Sequence, residues 1–204
     1  NNIARKSGVF KNIYVPPNPG DAGLSMGAIL YRTRQHINLD HAYLGYNIKQ
    51  DVNVGEVVEC LKRGEIVGIA NGRAEFGPRA LGNRSLLADP RGNDIKDRIN
   101  EIKQRQKFRP FAPVILEEHA DEYFSMPDNW NDSRYMQIVG RCRSPDLFPA
   151  IVHVDGTSRI QTVPKDGSGI RQLLEKWYVW TGCPMLLNTS LNIRGEPMVN
   201  TRED

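Results

Sequence analysis

Short apolar runs of strand length, each emptying into a turn rich in glycine or arginine, constrain this chain more than any other feature. The clearest case starts at Val54. Val54, Val57, Val58 and Leu61 recur at helical spacing, and Gly64 follows where a helix end favours glycine. IVGIA (66–70) then reads as a buried strand, and it feeds directly into GRAEFGPRALGNRSLLADPR (72–91). LLAD (86–89) is the next strand. FAPVILEE (111–118) is a strand running into a helix, and YMQIV (135–139) is a short strand inside a long polar loop. AIVHVDG (150–156) and SRIQTV (158–163) predict a hairpin about Asp155-Gly156. PMLLNTS (184–190) is a strand that ends in polar residues. Ile95, Ile99 and Ile102, and later Ile170, Leu173, Leu174, Trp177 and Tyr178, mark two further amphipathic helices. Helices and strands mix irregularly, which predicts an α/β or mixed α+β domain.

The first fifty residues follow another pattern. Phe10, Tyr14 and Val15 suggest a short strand that Pro16-Pro17 breaks. GDAGLSMGAIL (20–30) is a glycine turn leading into a helix towards His36. Glycine at a helix start admits a nucleotide phosphate, and it equally admits tight packing on a neighbouring helix. Residues 38–53 are polar, lack a period and read as a linker.

Charge is concentrated rather than spread. The whole chain carries +3, while residues 72–109 hold ten basic and five acidic side chains, a net +5. Guanidinium forks beside glycines, where backbone N–H groups approach closely, suit a phosphate or a carboxylate. The same arginines would equally form surface ion pairs. Three polar groups fall where strands end. The first is the loop bearing Arg73, Glu75, Arg79 and Arg84. The second is Lys107-Phe108-Arg109-Pro110, whose two cations lie two apart and point the same way if extended. The third is Asn188, Thr189, Ser190 and Asn192 before Arg194-Gly195-Glu196, where neutral donors meet a sugar, a phosphate oxygen or a carbamate. No Ser-His-Asp set, Cys-His set or metal-binding His spacing is visible. The tools of any chemistry are therefore cations and amides, which act by electrostatic stabilisation. Cys60, Cys142 and Cys183 are odd in number and far apart. Reduced thiols and a cytoplasmic location are the expectation. The sequence contains no apolar run of membrane-spanning length.

Taken together, GRAEFGPRALGNRSLLADPR, KFRPFAPVILEEHADEYF, HVDGTSRIQTV and LNTSLNIRGEP resemble the C-terminal region of the O-carbamoyltransferases, enzymes that modify nodulation signals and antibiotics. The resemblance covers residues 55–204. It implies a YrdC-like twisted mixed sheet with helices on its faces and a concave basic surface, occupying residues 51–204. Residues 1–50 resemble the end of a preceding actin-type ATPase domain. The family reaction has two steps. ATP with Mg²⁺ and carbamoyl phosphate give carbamoyladenylate. The upstream domain, which carries the family's metal-binding histidines for iron or another metal, then passes the carbamoyl group to an acceptor hydroxyl on a glycan or an antibiotic-like molecule. Carried over residue by residue, Lys107, Arg109, Ser190 and Asn192 fall on the family's phosphate and adenylate contacts. Arg73, Glu75 and Arg79 accompany them, with Arg84, Arg159 and Arg194 as second contacts. An RNA-binding module of the same fold is the alternative, and a docking domain without a ligand is the third.

Overall fold

The computed structural model describes residues 7–10, 15–37, 39, 41–127, 132–167 and 169–204. Nine strands and five α-helices are described, the first helix being α1 (Leu24–Thr33). The expected strand around Phe10 and Tyr14 lies largely outside the described residues. Among those residues no helix is long and apolar enough to cross a membrane.

The helix expected at Val54 is α2 (Val54–Lys62). Asn53 caps it, its side chain accepting from the N–H groups of Gly55 and Glu56. Val58 and Leu61 are buried. Strand β2 (Val67–Ala70) pairs antiparallel with β4 (Arg84–Ala88). Between them the chain leaves the main sheet. Gly72 takes the left-handed conformation (φ +65°), and β3 (Gly72–Glu75) pairs with β1 (Tyr43–Ile48) in a separate ribbon. The stretch 38–53, expected to be a linker, thus contains a strand. It pairs with β3 alone in a two-stranded ribbon, and three of its six residues are exposed.

After β4, helix α3 (Ile95–Ile102) buries Ile95, Ile99 and Asn100. It leads to β5 (Ala112–Leu116), a short 3₁₀ turn, α4 (Ala120–Tyr123) and β6 (Phe124–Ser125). Strand β7 (Ile138–Cys142) starts three residues later than YMQIV suggests. Met136 is left-handed (φ 56°), in a turn closed by its N–H to Ser133 O, so Tyr135 and Met136 stay outside the strand. Strand β8 (Thr157–Val163) is present, but 150–156 forms no strand. The turn itself is real: Asp155 accepts from the N–H and hydroxyl of Thr157. Its partner is β7, because Gly140 and Ile138 align with Ser158 and Ile160. Helix α5 (Ile170–Thr181) and β9 (Met185–Ser190) complete the chain.

The main sheet has seven strands in the order β2-β4-β9-β5-β8-β7-β6. Only β5 and β8 run parallel, so the sheet is mixed. The last strand is inserted between two earlier ones, β4 and β5. Its end, at Ser190, therefore lies deep in the sheet rather than at an edge. On α5, Leu174 and Trp177 are fully buried, and Trp177 Nε1 donates to Met185 O at 3.0 Å. Each such apolar side chain contributes about 1.5–3 kcal/mol. The three cysteines are free thiols.

Candidate functional site

Where β8 begins and β9 ends, the surface sinks into a cavity of about 550 Å³, a size suited to a small ligand. The loop after β3 forms one wall. Glu75, 7% exposed, bends that loop: its Oε1 accepts from the N–H groups of Leu81 (2.7 Å) and Asn83 (2.8 Å). Gly82 (φ +124°) lets the loop pass over α5, where a Cβ would fall 2.8 Å from Ile170 Cβ. Arg79 and Ala80 are delivered to the cavity by this loop. Arg84 is fully buried and spends its guanidinium on backbone carbonyls, among them Tyr46, Asn71, Asn83 and Asn200. Glu75 and Arg84, expected at the ligand, are thus the scaffold of the loop. Arg73 is exposed and reaches the carbonyls of Leu44 and Gly45 in the β1–β3 ribbon.

The second wall is the segment between α3 and β5. Asn100, fully buried, is its keystone. Its Nδ2 donates to the carbonyls of Lys107 and Arg109, and its Oδ1 accepts from Arg105 Nε at 2.6 Å. The Arg105 guanidinium lies over the Phe111 ring at 4.3 Å. Arg105 and Arg109 both line the cavity. Lys107 does not. It is exposed and pairs with Glu101 at 2.9 Å. The two-pronged clamp expected of Lys107 and Arg109 is absent because 107–109 is a turn, not an extended strand.

The third wall comes from β8 and β9. Arg159, Ser158, Asn188, Thr189 and Ser190 line it. Below them sits Lys103, 5% exposed. Its ammonium donates to Ser190 O and Asn192 O, with Ser190 Oγ (3.3 Å) and Asn192 Oδ1 (3.0 Å) also in range. Ser190 Oγ in turn donates to Asn192 Oδ1 at 2.6 Å. Asn192 is therefore a support of Ser190 and not itself a lining residue. Arg194 is exposed and outside the cavity, although its N–H donates to Lys103 O.

Lys103 and Arg105 escaped the sequence reading. The pattern Lys-x-Arg occurs twice in succession, at 103–105 and at 107–109. Burial distinguishes them, and spacing does not.

The electrostatics of the cavity are one-sided. Arg79, Arg105, Arg109 and Arg159 converge, and among the described residues no carboxylate lines the cavity. Among the described residues none of the four has an ion-pair partner. Burial, then Arg109 and Arg159, push Arg105 down to about 10. Burial, then Arg79, push Arg159 down to about 10. Arg159 retains water-accessible area, but it lies in a concavity whose walls displace much of its hydration. Lys103 falls to about 8, through burial first and then Arg105 and Arg109. Cations that depress one another's protonation in this way are stabilised by an anion.

Two solved structures share this fold. HypF from T. kodakarensis overlays 78% of this chain at a TM-score of 0.55 with 20% identity, using 20% of its own length. A full-length HypF in a phosphate- and nucleotide-bound form matches to the same extent at 19% identity. A profile of the family described as Carbamoyltransferase C-terminus matches residues 58–204. The chain belongs to that family. Nodulation protein NolNO of Sinorhizobium fredii is 38% identical over 98% of the chain and 34% of its own length. Nodulation protein NolO of Bradyrhizobium diazoefficiens is 37% identical over 97% of the chain and 42% of its own. The chain thus spans roughly a third to two fifths of these relatives.

Proposed function

We propose that this chain is the carbamoyl-activating part of an O-carbamoyltransferase, and that its cavity binds ATP and carbamoyl phosphate and joins them as carbamoyladenylate. One observation carries the reading: four guanidiniums converge on one cavity that, among the described residues, has no carboxylate in its lining and none paired with them. ATP and carbamoyl phosphate are both polyanions, and pyrophosphate gains charge as it leaves. Arg79, Arg105, Arg109 and Arg159 stabilise that charge without reorganising. In the step, a carbamoyl oxygen bonds to the α-phosphorus of ATP and the α–β phosphoanhydride breaks. Pyrophosphate leaves, and the phosphate of carbamoyl phosphate is released with one water consumed. Lys103 acts through Ser190, holding its hydroxyl at the cavity wall. The lining residues offer no charged oxygen to a divalent cation; Mg²⁺ then rides on the nucleotide's own phosphates. The phosphate- and nucleotide-bound HypF supports the reading by fold, and the family description, Carbamoyltransferase C-terminus, supports a carbamoyl transfer completed by sequence upstream. Residues 1–50 are, on this reading, the end of that upstream actin-type domain. The setting is the cytoplasm, where both substrates are made.

The test uses the full-length protein. Pyrophosphate release from ATP is followed with and without carbamoyl phosphate. Arg105→Ala and Arg159→Ala each lower the carbamoyl phosphate-dependent rate about 10²-fold or more, the scale of one lost charge-stabilising contact. An unchanged rate in the double variant refutes the assignment. A steep loss of RNA binding with salt, in a protein that releases no pyrophosphate, favours the RNA-binding alternative.

A further inference from the structure

The turn that carries Arg109 into the cavity also places an aromatic ring at its mouth. Asn100 holds the carbonyls on either side of Phe108, those of Lys107 and Arg109, each at 3.1 Å. A fully buried amide with two such bonds sets the direction of the turn. Phe108 lines the cavity, yet it is 70% exposed. Phe111, three residues on, is 5% exposed and has the Arg105 guanidinium over its face. Among the described residues no ring or cation covers Phe108. A single exposed apolar residue is ordinary. One aimed by a buried clamp at the rim of a cationic cavity asks for a ligand with a flat apolar part as well as charge. Pro110, Val139 and Ile151 also line the cavity.

We infer that Phe108 is the stacking platform for the purine of the nucleotide. The base lies against the ring while the phosphates run inward to the guanidiniums. The inference rests on the nucleotide reading above and adds where the base goes. Every purine has a π-face, so a platform without hydrogen bonds does not choose between adenine and guanine. Phe108 touches no reacting atom and contributes to binding alone.

The experiment measures dissociation constants of ATP, GTP and inorganic tripolyphosphate for the full-length protein by calorimetry. Phe108→Ala weakens ATP and GTP alike by about 5- to 150-fold, the range of one lost base–aromatic stack. It leaves tripolyphosphate within about twofold, since the arginines are untouched. Phe108→Trp restores nucleotide affinity. Unchanged ATP affinity in Phe108→Ala overturns the inference. So does a parallel loss of ATP and tripolyphosphate, which makes Phe108 a support of the arginines. A wild type that binds tripolyphosphate as tightly as ATP also overturns it, because the base then has no subsite. A wild type that binds neither ligand sinks the nucleotide reading itself, an outcome distinct from the other three.

Discussion

Replacing Arg84 with Met separates a scaffold arginine from a ligand-binding one. The side chain is fully buried. It donates to the carbonyls of Tyr46 in β1, Asn71 and Gly72 between β2 and β3, Asn83 at the loop's end, and Asn200 near the C-terminus. Burial lowers its pKa while Glu75 raises it, so the charge is kept by local partners rather than by water. Met fills the volume of the aliphatic stem and donates nothing. Each buried carbonyl left without its charged donor costs about 1–3 kcal/mol. Asn71 is only half-buried and Asn200 is exposed, so water takes over some of these bonds. The sum is therefore about 3–5 kcal/mol, the usual loss when one partner of a buried charged network is removed. For a domain of this size that lowers Tm by about 6–20 °C. Thermal unfolding gives the shift, and calorimetry well below Tm gives the ATP dissociation constant, expected within about twofold of wild type. A Tm within about 2 °C of wild type, combined with a tenfold or greater loss of ATP affinity, refutes the argument and returns Arg84 to the ligand.

Two further outcomes follow from the site. Lys107→Ala removes only an exposed pair with Glu101, so stability changes by less than about 1 kcal/mol, and pyrophosphate release stays within a few-fold of wild type. A loss comparable to that of Arg105→Ala would show that Lys107 reaches the substrate. Lys103 titrates at about 8, so activity falls as pH rises through about 8 and its ammonium loses the proton that bridges Ser190 and Asn192. The sign for folding is the reverse. Between about 8 and 10.5 the unfolded chain holds the proton that the folded one has released, so this group's share of stability rises with pH. An alkaline limb of the pH–rate profile near 8 without a matching fall in Tm is the expected signature. A limb that survives unchanged in Lys103→Met assigns it to another group.

Much of the fold was legible because periodicity reports burial. The valines before Gly64, the isoleucines of α3 and the Ile170–Trp177 face all became helices, burying Val58 and Leu61, Ile95 and Ile99, and Ile170, Leu173, Leu174 and Trp177, while Ile102 stays exposed. Strand β5, buried on both faces, is a continuous apolar run, while β4 is buried throughout yet opens on Arg84 and Ser85. What failed were segments whose conformation depends on a distant partner. The ribbon strand β1 exists because β3 lies beside it. Residues 150–156 contain Ala150 and Ile151, buried like strand residues, but β8 takes its ladder from β7. Turn chemistry at Asp155 was readable, and strand choice was not.

The sequence by itself determined the class of chemistry: a concentration of cations on one loop-rich stretch, neutral amides and hydroxyls at the end of the last strand, and family strings in order. Those are properties of residue type and spacing. Which cations line the cavity was decided only by tertiary structure. Arg84 and Arg109 are alike in sequence, both beside glycine or proline turns, yet one is sealed among carbonyls and the other opens into the cavity. Lys103 and Lys107 stand in the same local pattern, and only one lies under Ser190, 87 positions away along the chain. A guanidinium or an ammonium takes its role from what surrounds it, and that environment is assembled from strands that meet only when β9 enters the sheet between β4 and β5.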